Sequence, residues 1–229
     1  MASPIVVFDL DGTLVDTAPD LIGAANHVFA AEGLDPVAAH EIRDQISFGA
    51  RAMIVKGLEL RSAARSTTDV DRLLARFLTH YEANIAVNSR PFPHVVDTLR
   101  HYRTRGCRLA VCTNKREGLS RTLLTKLDML HLFDGLAGRD TFAVSKPHPD
   151  HLTGAIRLAG GVSHRAIMVG DSDTDISTAR AAGVPSIAVT FGYTDVPAAK
   201  LGANEVIEDY RAFDAALLRV LSSVAFTKS

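Results

Sequence analysis

The sequence predicts an α/β fold, a parallel sheet covered by helices, with an all-helical domain inserted after the first strand. Three observations predict it. Ile5 to Phe8 is an unbroken run of β-branched and aromatic residues, the pattern of a strand buried on both faces. Residues from about 17 to 88 carry helical spacings and no strand pattern. From Pro91 onward helix and strand patterns alternate, which is how a parallel sheet is assembled.

The helical stretch opens at Thr17, with Pro19 and Asp20 behind it. Those residues read as an N-cap, a first-turn proline and an acid at N3, so Asp16 and Thr17 are expected to act as capping residues. Leu21, Ile22, Ala25, Val28 and Phe29 form its apolar stripe, and Gly33 ends it. A second helix is expected from Pro36 through Ile46, a break at 47–51, and a third helix to about Leu60. Thr67 or Thr68 is expected to cap a long helix whose buried face is Val70, Leu73, Leu74, Phe77, Leu78 and Tyr81. Beyond Pro91 the expected elements are a helix from Pro93 to Arg105 closed by Gly106, a strand Arg108 to Cys112, a helix Glu117 to Leu130, and a short strand Phe133 to Ala137. There follow a helix Pro149 to Ala159, a strand Ala166 to Val169, a helix Thr174 to Ala182, a strand Ser186 to Val189, a short strand Glu205 to Ile207, and a closing helix from Phe213 to Leu221.

At 229 residues and 47% hydrophobic, the chain holds one α/β domain plus a smaller insert. A net charge of −1 and a pI near 6.8 give no electrostatic basis for binding nucleic acid or an anionic membrane. The start lacks a basic region, its apolar run is too short for a signal peptide, and no stretch approaches a membrane span. Cys107 and Cys112 lie on one expected strand, roughly 16 Å apart at strand rise, too far for a disulfide. A reduced, cytoplasmic protein is the expectation. No exposed apolar stripe chooses between monomer and homodimer.

The chemistry gathers at strand ends. Asp9 and Asp11 leave the first strand on the same side, because side chains repeat every two residues; Gly12 and Thr13 then allow a tight turn. Two carboxylates this close repel each other unless a cation lies between them, which points to a hard divalent metal and a carboxylate free to attack or to move a proton. The strand Arg108 to Cys112 runs into Thr113-Asn114-Lys115, whose hydroxyl, amide and backbone N–H groups suit a phosphate. Lys146 stands in Ser145-Lys146-Pro147-His148-Pro149, a loop stiffened by prolines. The strand ending at Val169 is followed by Gly170-Asp171-Ser172-Asp173-Thr174-Asp175, three aspartates where a cap needs one, most easily Ser172 or Asp173. Carboxylates for a magnesium-like ion beside a lysine and a hydroxyl for an anion are what phosphoryl transfer requires.

The motifs D-L-D-G-T-L-V-D-T, V-C-T-N-K, S-K-P-H-P and G-D-S-D-T-D, in this order and spacing, resemble the haloacid dehalogenase superfamily in its phosphatase branch. The segment R-A-A-G-V-P-S-I-A-V-T-F-G-Y looks like the phosphoglycolate phosphatase subgroup. The resemblance covers almost the whole chain. It implies a Rossmann-like core domain of residues 1–16 and 89–229 and a helical cap of residues 17–88. It implies that Asp9 attacks phosphorus to form an aspartyl-phosphate. Asp11 would protonate the leaving oxygen, help deprotonate the hydrolytic water and offer its backbone carbonyl to the metal. Thr113 and Lys146 would hold phosphoryl oxygens, Asn114 would contact the phosphate, Asp171 would bind Mg²⁺, and Asp175 would bind the metal or orient its waters. The implied substrate is a small phosphorylated metabolite, 2-phosphoglycolate first among them, with sugar phosphates or nucleotides as alternatives.

Asp11 argues against dehalogenation, since the dehalogenases lack that second aspartate. Lys56 in the cap invites comparison with the phosphonatases, which form a Schiff base, but those also replace the second aspartate. A mutase related to β-phosphoglucomutase, or a phosphate-binding module without turnover, are the other readings; a receiver domain is excluded by length and by the cap. Substrate choice is expected from the cap loop Phe48-Gly49-Ala50-Arg51, with Arg51 pairing a substrate carboxylate or standing exposed on its helix. No histidine has zinc spacing, and His148 is expected to pack.

Overall fold

A computed structural model describes residues 4–194 and 196–223. The core is a six-stranded sheet in which every pairing is parallel. Its strands along the chain are β1 (Ile5–Phe8), β4 (Arg108–Cys112), β5 (Gly135–Ala137), β6 (Ala166–Gly170), β7 (Ser186–Val189) and β8 (Glu205–Ile207), and they lie in the order β5-β4-β1-β6-β7-β8. Counting only these six, that is the 3-2-1-4-5-6 order of a Rossmann-like sheet. The chain moves outward on one side of β1, then crosses back and moves outward on the other. The crevice beyond the carboxyl ends of β4, β1 and β6 is therefore the topological switch point, where such sheets bind ligands.

Alternation along β1 builds the two cores. Val6 and Phe8 join Leu99 of α5 (Val95–Thr104), Leu123 of α6 (Glu117–Lys126) and Phe213 of α9 (Phe213–Ser223). Ile5 and Val7 face the other way, onto Leu152 and Ile156 of α7 (Pro149–Leu158) and Ala179 of α8 (Asp173–Ala181).

Between β1 and β4 the chain forms α1 (Ala18–Ala31), α2 (Ala39–Ile42), α3 (Ala50–Leu60) and α4 (Thr67–Ala83). Phe29, Met53, Ile54, Leu73 and Phe77 are fully buried there. A short antiparallel ribbon, β2 (Val15–Asp16) with β3 (Arg90–Pro91), ties the outgoing chain to the returning one. Asp20 of α1 fastens the return, accepting hydrogen bonds from the backbone N–H groups of Asn88 and Ser89 at 2.8–3.1 Å and from the Ser89 hydroxyl at 2.7 Å. Those donors hold its carboxyl below the usual range against the opposing effect of burial. A two-residue ribbon leaves no sequence signature and was not expected.

Several expected boundaries move for identifiable reasons. The helix expected from Pro36 is only the turn Ala39–Ile42, continued by a 3₁₀ segment over Arg43–Phe48. The Asn26 side chain occupies both backbone groups of Val37, accepting from its N–H at 2.7 Å and donating to its carbonyl at 3.0 Å, so Val37 cannot join a helical ladder. Ser66, not Thr67 or Thr68, caps α4 by accepting from the N–H of Asp69. The helix expected from Pro93 starts at Val95, after His94 at φ 65°, and α6 stops at Lys126 rather than Leu130. Cys107 and Cys112 are both free, as expected.

Thr17 stands at the N-cap position of α1, as expected, but its side chain does not do the capping. Its backbone is already helical, at φ −98° and ψ −6°, and its side chain makes no capping bond. The helix is capped from far away in sequence. The Tyr193 hydroxyl accepts from the N–H of Thr17 at 2.6 Å and of Ala18 at 3.0 Å, and donates to Asp16 at 2.8 Å. Residues 1–3, 195 and 224–229, which the expected core domain includes, lie outside the described residues.

Candidate active site

β1 sits between β4 and β6, so their carboxyl ends deliver Asp9, Thr113 and Asp171 side by side. Lys146 enters from the loop before α7, behind a cis peptide to Pro147. Its ammonium, almost fully buried, lies 2.8 Å from Asp9 Oδ1 and 2.5 Å from Asp175 Oδ1. Among the described residues Asp9 Oδ1 has no partner besides this ion pair. Asp175 has two further partners, its Oδ2 accepting from the Ser172 N–H at 3.1 Å and hydroxyl at 2.7 Å. This reciprocal cap, with Ser172 in the expected place, opens α8.

Asp9, Asp171 and Asp175 each place one oxygen within 4.8 Å of the others. Burial, then repulsion from its neighbours, pushes Asp171 up to about 8. Burial also pushes Asp9 up to about 7, despite the lowering effect of Lys146. Three buried carboxylates with one ammonium between them are short of positive charge. An all-oxygen donor set with that deficit fits a hard divalent cation.

The expected clamp between the Asp9 and Asp11 side chains does not form. The Asp11 carboxylate lies outside this cluster and turns toward the insert. It accepts from Thr17 Oγ1 at 2.7 Å and from Lys115 Nζ at 3.1 Å and 3.3 Å. Lys115 is nearly buried, and its ammonium lies 4.5 Å from the centre of the Tyr81 ring of α4. Burial acts against its charge, but Asp11 and Tyr81 hold it protonated, above the usual lysine value. The sequence reading placed Lys115 in the Thr113-Asn114-Lys115 phosphate cradle and gave its side chain no role of its own. The signal available was a lysine one residue beyond Asn114, at the same strand end as Thr113.

Asp171 is seated by backbone. The Tyr193 N–H donates to it at 2.8 Å and the Thr13 hydroxyl at 2.8 Å. Gly192 packs so closely that an added Cβ would lie 2.1 Å from the Asp171 Cβ. Gly192→Ala is therefore expected to displace Asp171 and weaken Mg²⁺ binding by about 10–100-fold; calorimetric titration of the folded variant measures it.

His151 is another residue sequence reasoning passed over. It is fully buried, accepts from the Lys146 N–H at Nδ1 and donates to the Gly138 carbonyl from Nε2 at 3.0 Å. This partner pattern assigns the neutral tautomer, and burial lowers its pKa to about 4. It thus fixes the backbone that carries Lys146. Below pH 6.5 the unfolded chain protonates this histidine while the folded chain resists until about 4. Stability therefore drops as pH falls through that window, by at most about 3.5 kcal/mol at ~1.4 kcal/mol per pH unit. Denaturant melts of wild type and His151→Gln should diverge in favour of wild type as pH rises from about 4 to 6.5, then run parallel.

A cavity of about 560 Å³ lies over Asp9, Asp11, Thr113, Asn114 and Lys146. The insert covers it with Ile46–Arg51, Phe77 and Tyr81. Asn114 donates from its amide to the Lys146 carbonyl at 3.1 Å. Arg51 reaches the cavity wall but is paired with Asp71 of α4 at the surface, an exposed pair of small energetic weight. Arg116 and Arg139 also line the cavity, on the sheet side. Lys56 does not line it, against the Schiff-base reading. His148 does not line it either; half-exposed, it caps α7 by accepting from the Asp150 N–H at 3.2 Å instead of packing.

Buried carboxylates short of positive charge beside a buried lysine, at the switch point of a parallel sheet, form the kind of site that phosphoryl transfer uses. The chain belongs to the haloacid dehalogenase-like hydrolase family, whose model matches residues 6–189. It is 48% identical over 221 residues to a phosphoglycolate phosphatase of Agrobacterium fabrum, covering 96% of this chain and 95% of that one. It is 46% identical over 225 residues to a phosphoglycolate phosphatase of Mesorhizobium japonicum, covering 98% and 99%. Among solved structures it is similar to a predicted phosphoglycolate phosphatase from Haemophilus somnus, with a TM-score of 0.87, 27% identity and coverage of 93% and 97%. With relatives of this kind along its whole length, the chain is a phosphatase of the family. Among the described residues, no helix is long and apolar enough to cross a membrane.

Proposed function

We propose that the protein hydrolyses 2-phosphoglycolate with Mg²⁺ through an aspartyl-phosphate on Asp9. The observation that carries this reading is the division of labour between two carboxylates. Asp9 lies in the charge-deficient cluster beside Lys146, while Asp11 is held apart by Thr17 and Lys115.

An Asp9 oxygen attacks phosphorus as the bond to the leaving oxygen breaks. Asp11 gives that oxygen a proton, then takes one from the water that attacks the phosphorus of the intermediate. Inorganic phosphate departs and Asp9 is restored. Thr113 and Lys146 bind phosphoryl oxygens, and Asn114 braces the Lys146 loop beside them. Asp9, Asp171 and the Asp11 backbone carbonyl would hold Mg²⁺, with Asp175 orienting Lys146 and Ser172 around it. The ion would supply the charge neutralisation that lets an anionic nucleophile meet an anionic ester.

Residues 17–88 act as a cap on a core of residues 1–16 and 89–229, closing to exclude water and reopening for release. A substrate carboxylate meets cations from both parts, Arg51 on the cap and Arg116 or Arg139 on the core. The names of the relatives support the substrate, as does the basic wall of a cavity sized for a small metabolite.

The test is phosphate release with Mg²⁺ across 2-phosphoglycolate, sugar phosphates, nucleoside monophosphates and pyrophosphate. Preference for 2-phosphoglycolate that weakens in Arg51→Ala supports the whole reading. Preference for another ester keeps the mechanism and removes the substrate. No turnover while Mg²⁺ demonstrably binds removes both.

A further inference from the structure

Tyr193 stands where three parts of the molecule meet. It is 2% exposed, 176 residues from Thr17 along the chain, and its hydroxyl is used to capacity. One proton goes to Asp16 and both lone pairs take N–H groups, from Thr17 and Ala18. The site chemistry described above makes no use of this hydroxyl. What it does determine is where the chain leaves the sheet for the insert. Because Tyr193 supplies the cap of α1, Thr17 is released from that duty and keeps helical backbone angles. Its hydroxyl then points at Asp11 Oδ1 from 2.7 Å. The insert also touches the ring, with the Arg43 guanidinium 5.0 Å from the ring centre and donating to the Phe191 carbonyl at 3.3 Å.

We propose that Tyr193 is a positioning residue for Asp11, acting through the Thr17 backbone so that the Thr17 hydroxyl holds the carboxylate toward the leaving oxygen. The proposal rests on the reading of Asp11 as the proton donor. A proton donor matters most for a poor leaving group, such as the alkoxide of 2-phosphoglycolate, and little for p-nitrophenolate, which departs without help. A residue that merely stabilises the fold would slow both substrates alike.

The experiment compares kcat/KM for 2-phosphoglycolate and p-nitrophenyl phosphate in wild type, Tyr193→Phe, Thr17→Val and Asp11→Asn. Thr17→Val keeps the Tyr193 contacts to the backbone and removes only the hydroxyl, so it remains informative if Tyr193→Phe fails to fold. Tyr193→Phe and Thr17→Val should each lose about 10–100-fold on 2-phosphoglycolate, a part of the ~10²–10⁴-fold that general acid catalysis supplies, and less than about threefold on the nitrophenyl ester. The double variant should lose no more than the worse single one, since both act on one chain of contacts. Equal losses on both substrates, no loss on either, or additive losses overturn the proposal. If Asp11→Asn itself shows no preference for the better leaving group, the role of Asp11 fails and the proposal with it. If Asp11→Asn shows the preference and the other two variants do not, only the proposal fails.

Discussion

Asp9→Asn is expected to lower phosphate release by about four orders of magnitude or more, since loss of a covalent nucleophile removes the reaction path rather than weakening it. The same substitution is expected to raise the melting temperature of the metal-free protein at pH 8. Asp9 is pushed up to about 7, so its charged form is disfavoured in the fold relative to the unfolded chain, where the ordinary value of 3.8 applies. An acid with a raised folded pKa costs stability as pH climbs from the unfolded value to the folded one. Asparagine keeps the shape and removes the charge, while Lys146 keeps its 2.5 Å contact with Asp175. Phosphate assay and calorimetry on one sample read both effects. Lost activity with lost stability would show that the charge of Asp9 stabilises the fold.

Lys146→Met is expected to have the largest effect on stability. Among the described residues the lysine is the one cation paired with Asp9 and Asp175, and both its side chain and that of Asp175 are buried. Breaking such a pair from one side leaves uncompensated charge, at about 3–5 kcal/mol. The loss should shrink as pH falls, because protonating the carboxylates relieves the same repulsion that the ammonium relieves. It should also shrink on adding Mg²⁺, because the carboxylates left without the ammonium bind the cation more tightly in the variant, so the same Mg²⁺ stabilises the variant more than wild type. Urea melts at pH 6 and pH 9, with EDTA and with Mg²⁺, give the four values. A loss independent of both pH and cation would mean that Lys146 serves packing rather than charge.

Both predictions concern residues that the sequence singles out, and there is a physical reason those were readable. A parallel strand buried on both faces is a continuous apolar run, and its carboxyl end is where side chains are free to be polar. Ile5–Phe8 into Asp9, Leu109–Cys112 into Thr113, and Ile167–Gly170 into Asp171 are therefore local patterns with local causes. The helical stretch between Thr17 and Asn88 was readable in the same way, from periodicity.

What the tertiary structure decided depends on partners far apart in the chain. The direction of the Asp11 side chain is set by Thr17 and by Lys115, so the expected pairing of Asp9 with Asp11 gives way to a cluster of Asp9 with Asp171 and Asp175. Thr17 holds the N-cap position that its local sequence marks, but the capping bond comes from Tyr193 and not from its own side chain. His151 and Gly192 carry no local signal at all. One acquires its role from the carbonyl of Gly138 and the N–H of Lys146, the other from the space that Asp171 needs. The identities of the reacting groups follow from strand ends and spacing, which are short-range. Their orientations and charges follow from burial and from contacts that exist only once the sheet has brought its strand ends together.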